Sequence, residues 1–315
     1  MNQYRGKHTS TAQWPVGTAR SRRRGRHQIR NRKRRALGIV ICAVIVITLA
    51  YLLINPHFSE TDRKSLLSED LPSDIGHLHI VYISDIHYGF SCTDLDLNRL
   101  ANQINNLKPD IILFGGDYAT DNPTAIRFFE KLPSLHARYA ILGVVGETDR
   151  GETDMDLTLL TDAMRDANVT PLVNNVFPVR MGNRTVYVAG IDEPQKGDPA
   201  LKDIASSVSA EDYVILLGHN PSVIPESQRI TDKNGKLGWF DLALFGHTHG
   251  GQIPLLAPLL DIAGDVPERY RQGWFSENRA SILVSNGVGT SVIPVRAFCP
   301  AQIHYIDVAY DGSRR

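Results

Sequence analysis

The sequence LALFGHTHGGQ, residues 242–252, joins a short apolar run to a glycine-rich loop that contains two histidines. The run Leu242–Phe245 is short and continuously apolar, which favours a buried strand over a helix. His247 and His249 follow the carboxyl end of this run. In open α/β sheets, ligands bind beyond the carboxyl ends of the strands. The stretch therefore predicts a sheet edge where imidazole groups bind a ligand.

Three other polar clusters follow apolar runs in the same way. They are Asp85-Ile86-His87, Gly115-Gly116-Asp117 and Gly218-His219-Asn220. Each cluster alone could be a turn or a histidine that ends a strand, but four such clusters in one chain are hard to explain by chance. Hard carboxylate oxygens together with imidazole nitrogens suit divalent metals such as Mn, Fe or Zn. A metal-dependent hydrolase is the leading hypothesis.

Short β-branched runs recur from about residue 77 onward and alternate with helical patterns. Leu97, Leu100 and Ile104 keep the spacing of a helix, and Pro109 predicts its end. Alternation of strands and helices predicts an α/β sandwich. The predicted strands are His79–Ile83, Asp110–Phe114, Tyr139–Leu142, Thr185–Val188, Tyr213–Leu217, Leu242–Phe245, Ser281–Val284 and Ile303–Ile306.

Residues 36–54 read ALGIVICAVIVITLAYLLI and contain no charged side chain. About 20 apolar residues span the hydrocarbon core of a bilayer. The run is longer than the apolar region of a secretory signal, and no small-residue cleavage site follows it. A buried core helix fits poorly because the run has no polar face. We therefore predict a transmembrane helix that stays in place as an anchor.

The formal net charge of zero hides a strong asymmetry. Residues 1–35 contain 12 of the 34 Lys and Arg residues and no Asp or Glu, which leaves 22 basic against 34 acidic residues, a net charge of −12, in the rest. We expect a disordered basic tail, placed in the cytoplasm by the positive-inside rule. One span then puts a domain at 77–310 outside the cytoplasm of a single-pass membrane protein, after a linker at 55–76.

Composition also excludes some classes of protein. Membrane topology already accounts for the basic tail, so we expect no nucleic-acid partner. Cys42, Cys92 and Cys299 are the only cysteines. One possible pair, Cys92 with Cys299, makes neither a disulfide framework nor a Cys-rich zinc site.

The four clusters, with one more, resemble the calcineurin-like metallophosphoesterases. That family has Asp-x-His, Gly-Asp, Gly-Asn-His-Asp or Glu, Gly-His and Gly-His-x-His in this order. Here the pattern appears as Asp85-Ile86-His87, Gly116-Asp117, Gly146-Glu147-Thr148-Asp149, Gly218-His219 and Gly246-His247-Thr248-His249. The resemblance covers about residues 77–310 and implies a four-layer α/β/β/α sandwich. The full loop, ending at Gln252, looks like the membrane-associated bacterial branch that includes homologues of UDP-diacylglucosamine pyrophosphatase.

The resemblance implies two divalent ions, with Mn favoured over Fe or Zn. One ion would be held by Asp85, His87, Asp117 and His249, and the other by Asp117, Glu147, His219 and His247. Asp117, His219 and His247 would form the catalytic metal-hydroxide site. The implied reaction is hydrolysis of a phosphodiester or pyrophosphate bond by attack of a metal-bound hydroxide. With the domain outside the cytoplasm, we expect the substrate to be a lipid or cell-envelope phosphoester.

The chain departs from the family at Glu147-Thr148, where Asn-His is expected. Glu147 still offers a metal-binding oxygen and adds negative charge. Thr148 occupies the position of the general acid, and a threonine hydroxyl cannot supply a proton near neutrality. A phosphate leaving group, with a second pKa of about 6, needs no proton. We therefore expect pyrophosphates and aryl phosphodiesters to be preferred over alkyl esters.

Three alternatives remain open. Glu147-Thr148 could mark a catalytically impaired member that only binds metal. The histidines could merely end strands in a membrane-tethered binding protein. A single-zinc peptidase is the third, although no His-Glu-x-x-His helix is present. Four further carboxylates near predicted strand ends are expected to be solvated, namely Asp149, Glu152, Asp192 and Glu193.

Overall fold

The computed structural model describes residues 19–54, 59–253, 255–256, 259 and 265–313, with side chains undescribed for 19–30, 49 and 52–54. The chain divides into two compact units, one ending at Tyr51 and one beginning at Leu52. Helix α1, Ala19–Ile54, accounts for the described part of the first unit. The second unit contains all the strands and the other helices.

Helix α1 differs in part from the prediction for residues 1–35. Residues 19–35 are helical instead of disordered, since Arg and Lys are good helix formers. The rest of that tail lies outside the described residues. The predicted transmembrane segment, 36–54, lies within α1. Among the residues with described side chains, we find no helix with the length and apolar character needed to cross a membrane.

Two six-stranded sheets form the second unit. Sheet one has the order β1-β12-β2-β3-β4-β5, in which β2 to β5 are parallel and β12 runs antiparallel to β2. Sheet two has the order β10-β11-β9-β8-β7-β6, with β7, β8, β9 and β11 parallel. The strands are β1 Ser59–Ser68, β2 His77–Ile83, β3 Ile111–Phe114, β4 Ala140–Gly143, β5 Thr170–Pro171, β6 Asn175–Met181, β7 Arg184–Gly190, β8 Val214–Leu217, β9 Leu242–Phe245, β10 Gly273–Glu277, β11 Ala280–Val284 and β12 Ala301–Tyr310.

Helices cover the outer face of each sheet. They are α2 Asp94–Asn106, α3 Asn122–Lys131, α4 Asp154–Asp166, α5 Leu201–Ser207 and α6 Ile224–Ser227. One apolar layer lies between the two sheets. A second lies between sheet one and its helices, and a third lies between sheet two and its helices. Members are Ile80, Val188 and Leu244 between the sheets, Leu97, Phe128 and Met164 under α2 to α4, and Leu201 and Leu216 under α5. The molecule is therefore a mixed α/β sandwich with two sheets, as predicted.

All eight predicted strands are present, and the predicted linker needs a correction. Within residues 55–76, Ser59–Ser68 forms β1, which pairs in parallel with β12 along ten residues. This strand reads SETDRKSLLS and lies at the edge of sheet one, where half-exposed positions tolerate charged side chains. A search for continuous apolar runs could not detect it. The two cysteines of this unit, Cys92 and Cys299, are free.

The carboxyl ends of six strands position the loops of interest. These are β2, β3 and β4 in sheet one and β8, β9 and β11 in sheet two. Five residues of these loops adopt left-handed backbone conformations with φ between 47° and 69°, namely Asp85, His87, Asp117, His247 and His249. Non-glycine residues with positive φ are uncommon and cluster at functional sites. The backbone here is bent sharply just after each strand ends.

Candidate metal centre

Asp85, His87 and His249, termed here the Asp85 half, form a buried cluster. Their ligand atoms lie within 4.8 Å of one another. The Nε2 atoms of His87 and His249 are 3.0 Å apart, and Asp85 Oδ1 lies 3.6 Å from His249 Nε2. Asp85 Oδ1 also accepts the backbone N–H of His247 at 2.8 Å. Each side chain in this half is at most 3% exposed.

Asp117 lies between this half and the rest of the site. Its Oδ2 is 3.6 Å from His87 Nε2 and 3.4 Å from His219 Nε2. The His219 Nδ1 donates to the carbonyl oxygen of Gly115 at 2.7 Å, because a carbonyl can only accept. That bond leaves the Nε2 lone pair of neutral His219 facing Asp117. Asp85, Asp117 and His219 form a second group of ligand atoms within 4.8 Å.

Glu147, His219 and His247, termed here the Glu147 half, are less tightly assembled. His247 Nδ1 lies 3.3 Å from Glu147 Oε2, and His247 Nε2 donates to Asp265 Oδ1 at 3.1 Å. Neither tight group contains Glu147 or His247. The expected second ligand set is therefore adjacent but not closed around one point. Glu147 is the most exposed predicted ligand, at 27% of its side chain.

Asp265 is a functional candidate that sequence reasoning missed. Its carboxylate accepts from His247 and from the Asn220 amide, the latter at 2.7 Å. Because Asp265 binds Nε2 of His247, the Nδ1 atom faces Glu147 and is free to act as a ligand. The His247 and Asn220 bonds, opposed by burial, lower the pKa of Asp265 well below its usual range. No sequence motif surrounds Asp265, so no signal pointed to it.

Thr148 points back toward the centre of the site. Its hydroxyl lies 2.9 Å from Asp117 Oδ1 and 2.6 Å from the Ala119 carbonyl oxygen. Its backbone N–H donates to Asp117 Oδ1 at 3.1 Å. The hydroxyl has one hydrogen, so it donates to only one of these two acceptors at a time. Thr148 thus helps to hold the Asp117 carboxylate in place.

The charges of the site are strongly coupled. Burial opposes the charged form of Asp117, but His219 and His87 outweigh it and bring the pKa of this carboxyl well below 3.8. Burial likewise opposes the protonated form of His219, yet Asp117 raises the pKa of that imidazole well above 6.5. Burial, with the charges of His87 and Arg296, lowers the pKa of His249 well below 6.5. The Asp85 half therefore holds a neutral imidazole, which is the form that binds metal.

Arg296 is fully buried beside His249 and was also missed by the sequence reading. Its Nη2 lies 3.3 Å from His249 Nδ1 and 2.6 Å from the Asn286 carbonyl oxygen, and it also donates to the Gly289 carbonyl. Since Nη2 carries two hydrogens and these carbonyls are nearer, the contact does not fix the tautomer of His249. The guanidinium anchors the loop behind His249 and disfavours its protonation.

Two glycines of the motifs are required because a predicted ligand carboxylate lies against each of them. A Cβ atom on Gly246 would lie 2.4 Å from Asp85 Oδ2, and one on Gly146 would lie 2.1 Å from Asp117 Oδ1. Any larger residue would displace a predicted ligand. Sequence reasoning found these glycines as part of the pattern, and the structure gives their physical reason.

Divalent ions fit the residues that are present. Nine buried side-chain nitrogen or oxygen atoms of the described residues have no hydrogen-bond partner. Three of them are atoms of predicted ligands that an ion could satisfy, namely Asp85 Oδ2, Glu147 Oε2 and His219 Nε2. An unpaired buried polar group costs about 1–3 kcal/mol, and its presence calls for an explanation such as an ion. Carboxylate oxygens and imidazole nitrogens provide the donor set that such ions take.

The carboxylates expected to be solvated divide into two kinds. Glu152 is exposed and pairs with Lys196. Asp149, Asp192 and Glu193 are buried, which corrects the expectation. Asp192 pairs with Arg150, whereas Asp149 accepts the backbone N–H groups of Ala119 and Gly146 behind the site. Glu193 accepts the backbone N–H groups of Gln195 and Lys196 on its own loop. Asp149 and Asp192 contact residues of other loops, and such tertiary contacts are not visible in local sequence patterns.

The fold and the side-chain clusters together define a two-sheet α/β protein with a candidate metal centre of histidines and carboxylates. A family model for the calcineurin-like phosphoesterases matches residues 78–251, more than half of the chain. The chain belongs to this family. Its members are metal-dependent hydrolases of phosphoesters, which confirms the class that the sequence predicted.

Relatives of the chain include proteins without an assigned activity. It is 28% identical over 257 residues to the uncharacterized metallophosphoesterase YkuE of Bacillus subtilis, covering 79% of this chain and 85% of that protein. It is 27% identical over 275 residues to the uncharacterized metallophosphoesterase Cj0846 of Campylobacter jejuni, covering 85% and 67%. Among solved structures, the phosphopantetheinyl hydrolase of Mycobacterium tuberculosis matches with 12% identity, a TM-score of 0.39 and coverage of 68% and 91%.

Proposed function

We propose that the protein is a membrane-anchored phosphoesterase with two divalent metal ions, Mn being favoured over Fe or Zn. The observation that carries the proposal is a pair of buried groups of ligand atoms that share Asp85, one with His87 and His249 and one with Asp117 and His219. Asp117 faces histidines of both halves, which suits a bridging ligand. When bound, such ions lower the pKa of an attacking water and neutralise phosphoryl oxygens.

The residues of the chain orient and tune this centre. Gly115 fixes the tautomer of His219, and Asp265 fixes that of His247. These partners hold the ligating nitrogen of each ring toward the site and raise its basicity. Thr148 and the buried backbone around it hold Asp117 from the opposite side. The site is thus positioned before substrate arrives.

The surroundings of Thr148 support a rule for the leaving group. Its hydroxyl is directed at Asp117 and the Ala119 carbonyl instead of at the open side of the site. A neutral hydroxyl in this position cannot protonate an alkoxide near neutrality. We propose that the enzyme prefers substrates whose leaving group needs no proton, such as a pyrophosphate bond or an aryl phosphodiester.

A lipid or cell-envelope phosphoester is the proposed substrate, met outside the cytoplasm. The uncharged run 36–54 supports an anchor, and those large apolar side chains between Leu37 and Tyr51 that the structure describes are 50–70% exposed. Exposed apolar side chains also occur on one loop that carries a ligand and on one that contacts such a loop. Phe90 is 44% exposed and follows His87, while Phe298 is 94% exposed and precedes Cys299, which donates to the His249 carbonyl. We propose that these side chains contact the lipid part of the substrate.

The experiment compares three substrates with the full chain in detergent and Mn²⁺. A lipid-linked pyrophosphate, an aryl phosphodiester and a glycerophosphodiester differ mainly in the pKa of the leaving group. We expect turnover of the first two to exceed that of the third by about 10²-fold, the usual contribution of a general acid. Equal rates for all three would contradict the leaving-group rule. Hydrolysis of none would contradict the enzyme proposal.

A second candidate is a metal-binding member that has lost catalysis, favoured by the same pair Glu147-Thr148. The additional carboxylate lies 3.3 Å from His247 and adds negative charge to the Glu147 half. This candidate predicts two bound metal ions per chain with no hydrolysis of any phosphoester tested. Elemental analysis alongside the same substrate panel separates the two.

A further inference from the structure

A second histidine and carboxylate cluster lies at the opposite end of β2. His77 and His79 point to the same face of this strand, and Asp307 lies directly opposite His79 on β12. The ligand atoms of these three residues lie within 4.8 Å of one another. His77 begins the strand, whereas Asp85 and His87 follow its end about 20 Å away, by the rise of a strand. The two clusters are therefore separate sites.

The distances within this cluster suit a small cation. Asp307 Oδ1 lies 2.9 Å from His77 Nδ1 and 3.8 Å from His79 Nε2. Ligands at zinc-like bond lengths in a tetrahedral arrangement are separated by about 3.3 Å. One of the two distances is shorter and the other longer than this ligand separation. Small side-chain rotations would therefore bring the three ligand atoms to the spacing of a zinc site. His77 and Asp307 remain accessible, with 60% and 28% of their side chains exposed.

Asp110 provides a second and independent observation. Its Oδ2 accepts the His79 Nδ1–H at 3.1 Å and the His79 backbone N–H at 2.9 Å. This carboxylate is itself mostly buried and is flanked by Arg138 at 3.8 Å. Because Nδ1 carries the proton, the Nε2 lone pair of His79 faces Asp307 and His77. A carboxylate that orients a ligating imidazole in this way is a regular companion of zinc sites.

We propose that His77, His79 and Asp307 form a divalent zinc site with one open position for water. Two imidazoles and one carboxylate are a donor set that zinc takes in proteins. The ion would cross-link the start of β2 to β12 and would act on stability, not on hydrolysis. A plain surface ion pair would explain the contact of His77 with Asp307, but not the orientation that Asp110 imposes on His79. The inference does not rest on the proposed function.

The test measures zinc bound to the full chain in detergent. Protein is dialysed against buffered Zn²⁺ at about 1 μM free ion, and bound zinc is counted by elemental analysis. We expect His77→Ala to bind one ion fewer than the wild type. His136→Ala is the matched control, because His136 is exposed on a loop outside both clusters. Asp110→Asn should weaken the same ion by about 10–100-fold.

A second readout is thermal unfolding with and without Zn²⁺. An ion that binds only the folded state stabilises it by mass action. The zinc-dependent rise in Tm should therefore be smaller in His77→Ala than in the wild type and in His136→Ala. His77 is largely exposed, so its replacement should not prevent folding.

Asp117→Ala, which disrupts the catalytic centre, keeps the two sites distinguishable. Zinc lost from that variant belongs to the catalytic centre, and zinc lost from His77→Ala belongs to the distal cluster. Equal zinc content and affinity in the wild type, His77→Ala and His79→Ala would overturn the inference. So would a wild type whose zinc is entirely lost on changing Asp117.

Discussion

The two halves of the metal centre differ in how firmly the chain holds them. In the Asp85 half the ligands are almost fully buried and their nitrogens already lie about one ligand spacing apart, 3.0 Å for His87 and His249. In the Glu147 half the carboxylate is 27% exposed, and His247 depends on Asp265, a residue that is itself 39% exposed. The positions of the ligands in the Asp85 half are thus held by their buried surroundings. In the Glu147 half, His219 and His247 are buried as well, and only Glu147 and the supporting Asp265 are partly exposed to solvent.

The comparison shows where this chain departs from its family. Both unusual residues, Glu147 and Thr148, belong to the exposed half or adjoin it. We expect substitutions at these two positions to change which leaving groups the enzyme accepts. The buried ligands should stay in place. The proposed function therefore predicts that binding of one ion and choice of substrate depend on different parts of the site, and four variants or conditions test this prediction.

The largest effect is expected for Asp117→Ala, because Asp117 serves both halves. We expect hydrolysis of an aryl phosphodiester to fall by about 10³-fold or more, the equivalent of several kcal/mol of metal stabilisation. Metal content, measured by elemental analysis, should fall as well. His136→Ala, at an exposed loop position outside both clusters, is the control and should change the rate by less than about twofold. Full activity in Asp117→Ala would contradict the proposed role of Asp117 as a ligand shared by both ions.

Thr148→His tests the exposed half directly. An imidazole at this position would offer a proton to the leaving group, so turnover of an alkyl phosphodiester should rise by about tenfold or more. Turnover of an aryl ester should change little, and the pH profile of the alkyl ester should gain an acid limb. Thr148→Val is the matched control, since it removes the hydroxyl without supplying an acid. Equal gains in both variants, or none in either, would speak against the leaving-group rule.

Asp265→Asn should weaken one metal ion and spare the other. Loss of the carboxylate that orients His247 is expected to lower Mn²⁺ affinity of the Glu147 half by about 10–100-fold. Calorimetric titration should then resolve one weakened ion and one unchanged ion. Glu152→Gln is a control, because it removes an exposed carboxylate that contacts only Lys196. An equal loss at both ions would show that the halves are not separable.

The smallest effect is expected for the pH dependence of Tm, which should differ between the metal-free and the Mn²⁺-bound protein. In the metal-free protein, burial raises the pKa of Asp149 to about 7, and the charge of Asp117 adds to it. The pKa values of His219 and His247 are also raised, by Asp117 and Asp265 against the effect of burial. Groups with a raised folded-state pKa stabilise at low pH, and that stability is lost as the pH rises through the folded-state value. Burial lowers the pKa values of His87 and His249, which act in the opposite direction, so the net sign expected here is that of the three raised groups.

With EDTA, Tm should therefore fall by a few degrees between pH 6 and pH 8. Metal ligands must be deprotonated, so the rise in Tm caused by Mn²⁺ should be larger at pH 8 than at pH 6. The Asp117→Ala protein should show a weaker dependence in both conditions. A Mn²⁺ effect that does not vary with pH would contradict the assignment of these imidazoles as ligands.

Much of the fold was readable from the sequence because buried parallel strands are short apolar runs. The eight predicted strands are all present, and the ligand motifs follow the strands as expected. The polar strand β1 was missed, because an edge strand does not need apolar side chains on both faces. Helix formation at residues 19–35 was missed because composition, not periodicity, guided that prediction.

At the site, motif positions were predictable and supporting contacts were not. Asp265 and Arg296 lie 18 and 47 residues from the histidines they contact, with no motif of their own. Asp149 and Glu193 looked like loop carboxylates but are buried, because burial of a loop depends on how it folds back. Sequence reasoning predicts the candidate ligands from their motifs. The tertiary fold determines the groups that support them.

The left-handed backbone at Asp85, His87, Asp117, His247 and His249 has a consequence for local motion. Each such residue costs on the order of 1 kcal/mol or more, and five of them are concentrated in three loops. Without metal, these loops should open well below the free energy of global unfolding, so their backbone amides should exchange hydrogen for deuterium faster than those of the strands they follow. Bound metal should slow exchange in these three loops and leave the strands unchanged. The three loops should then open together, as one cooperative unit.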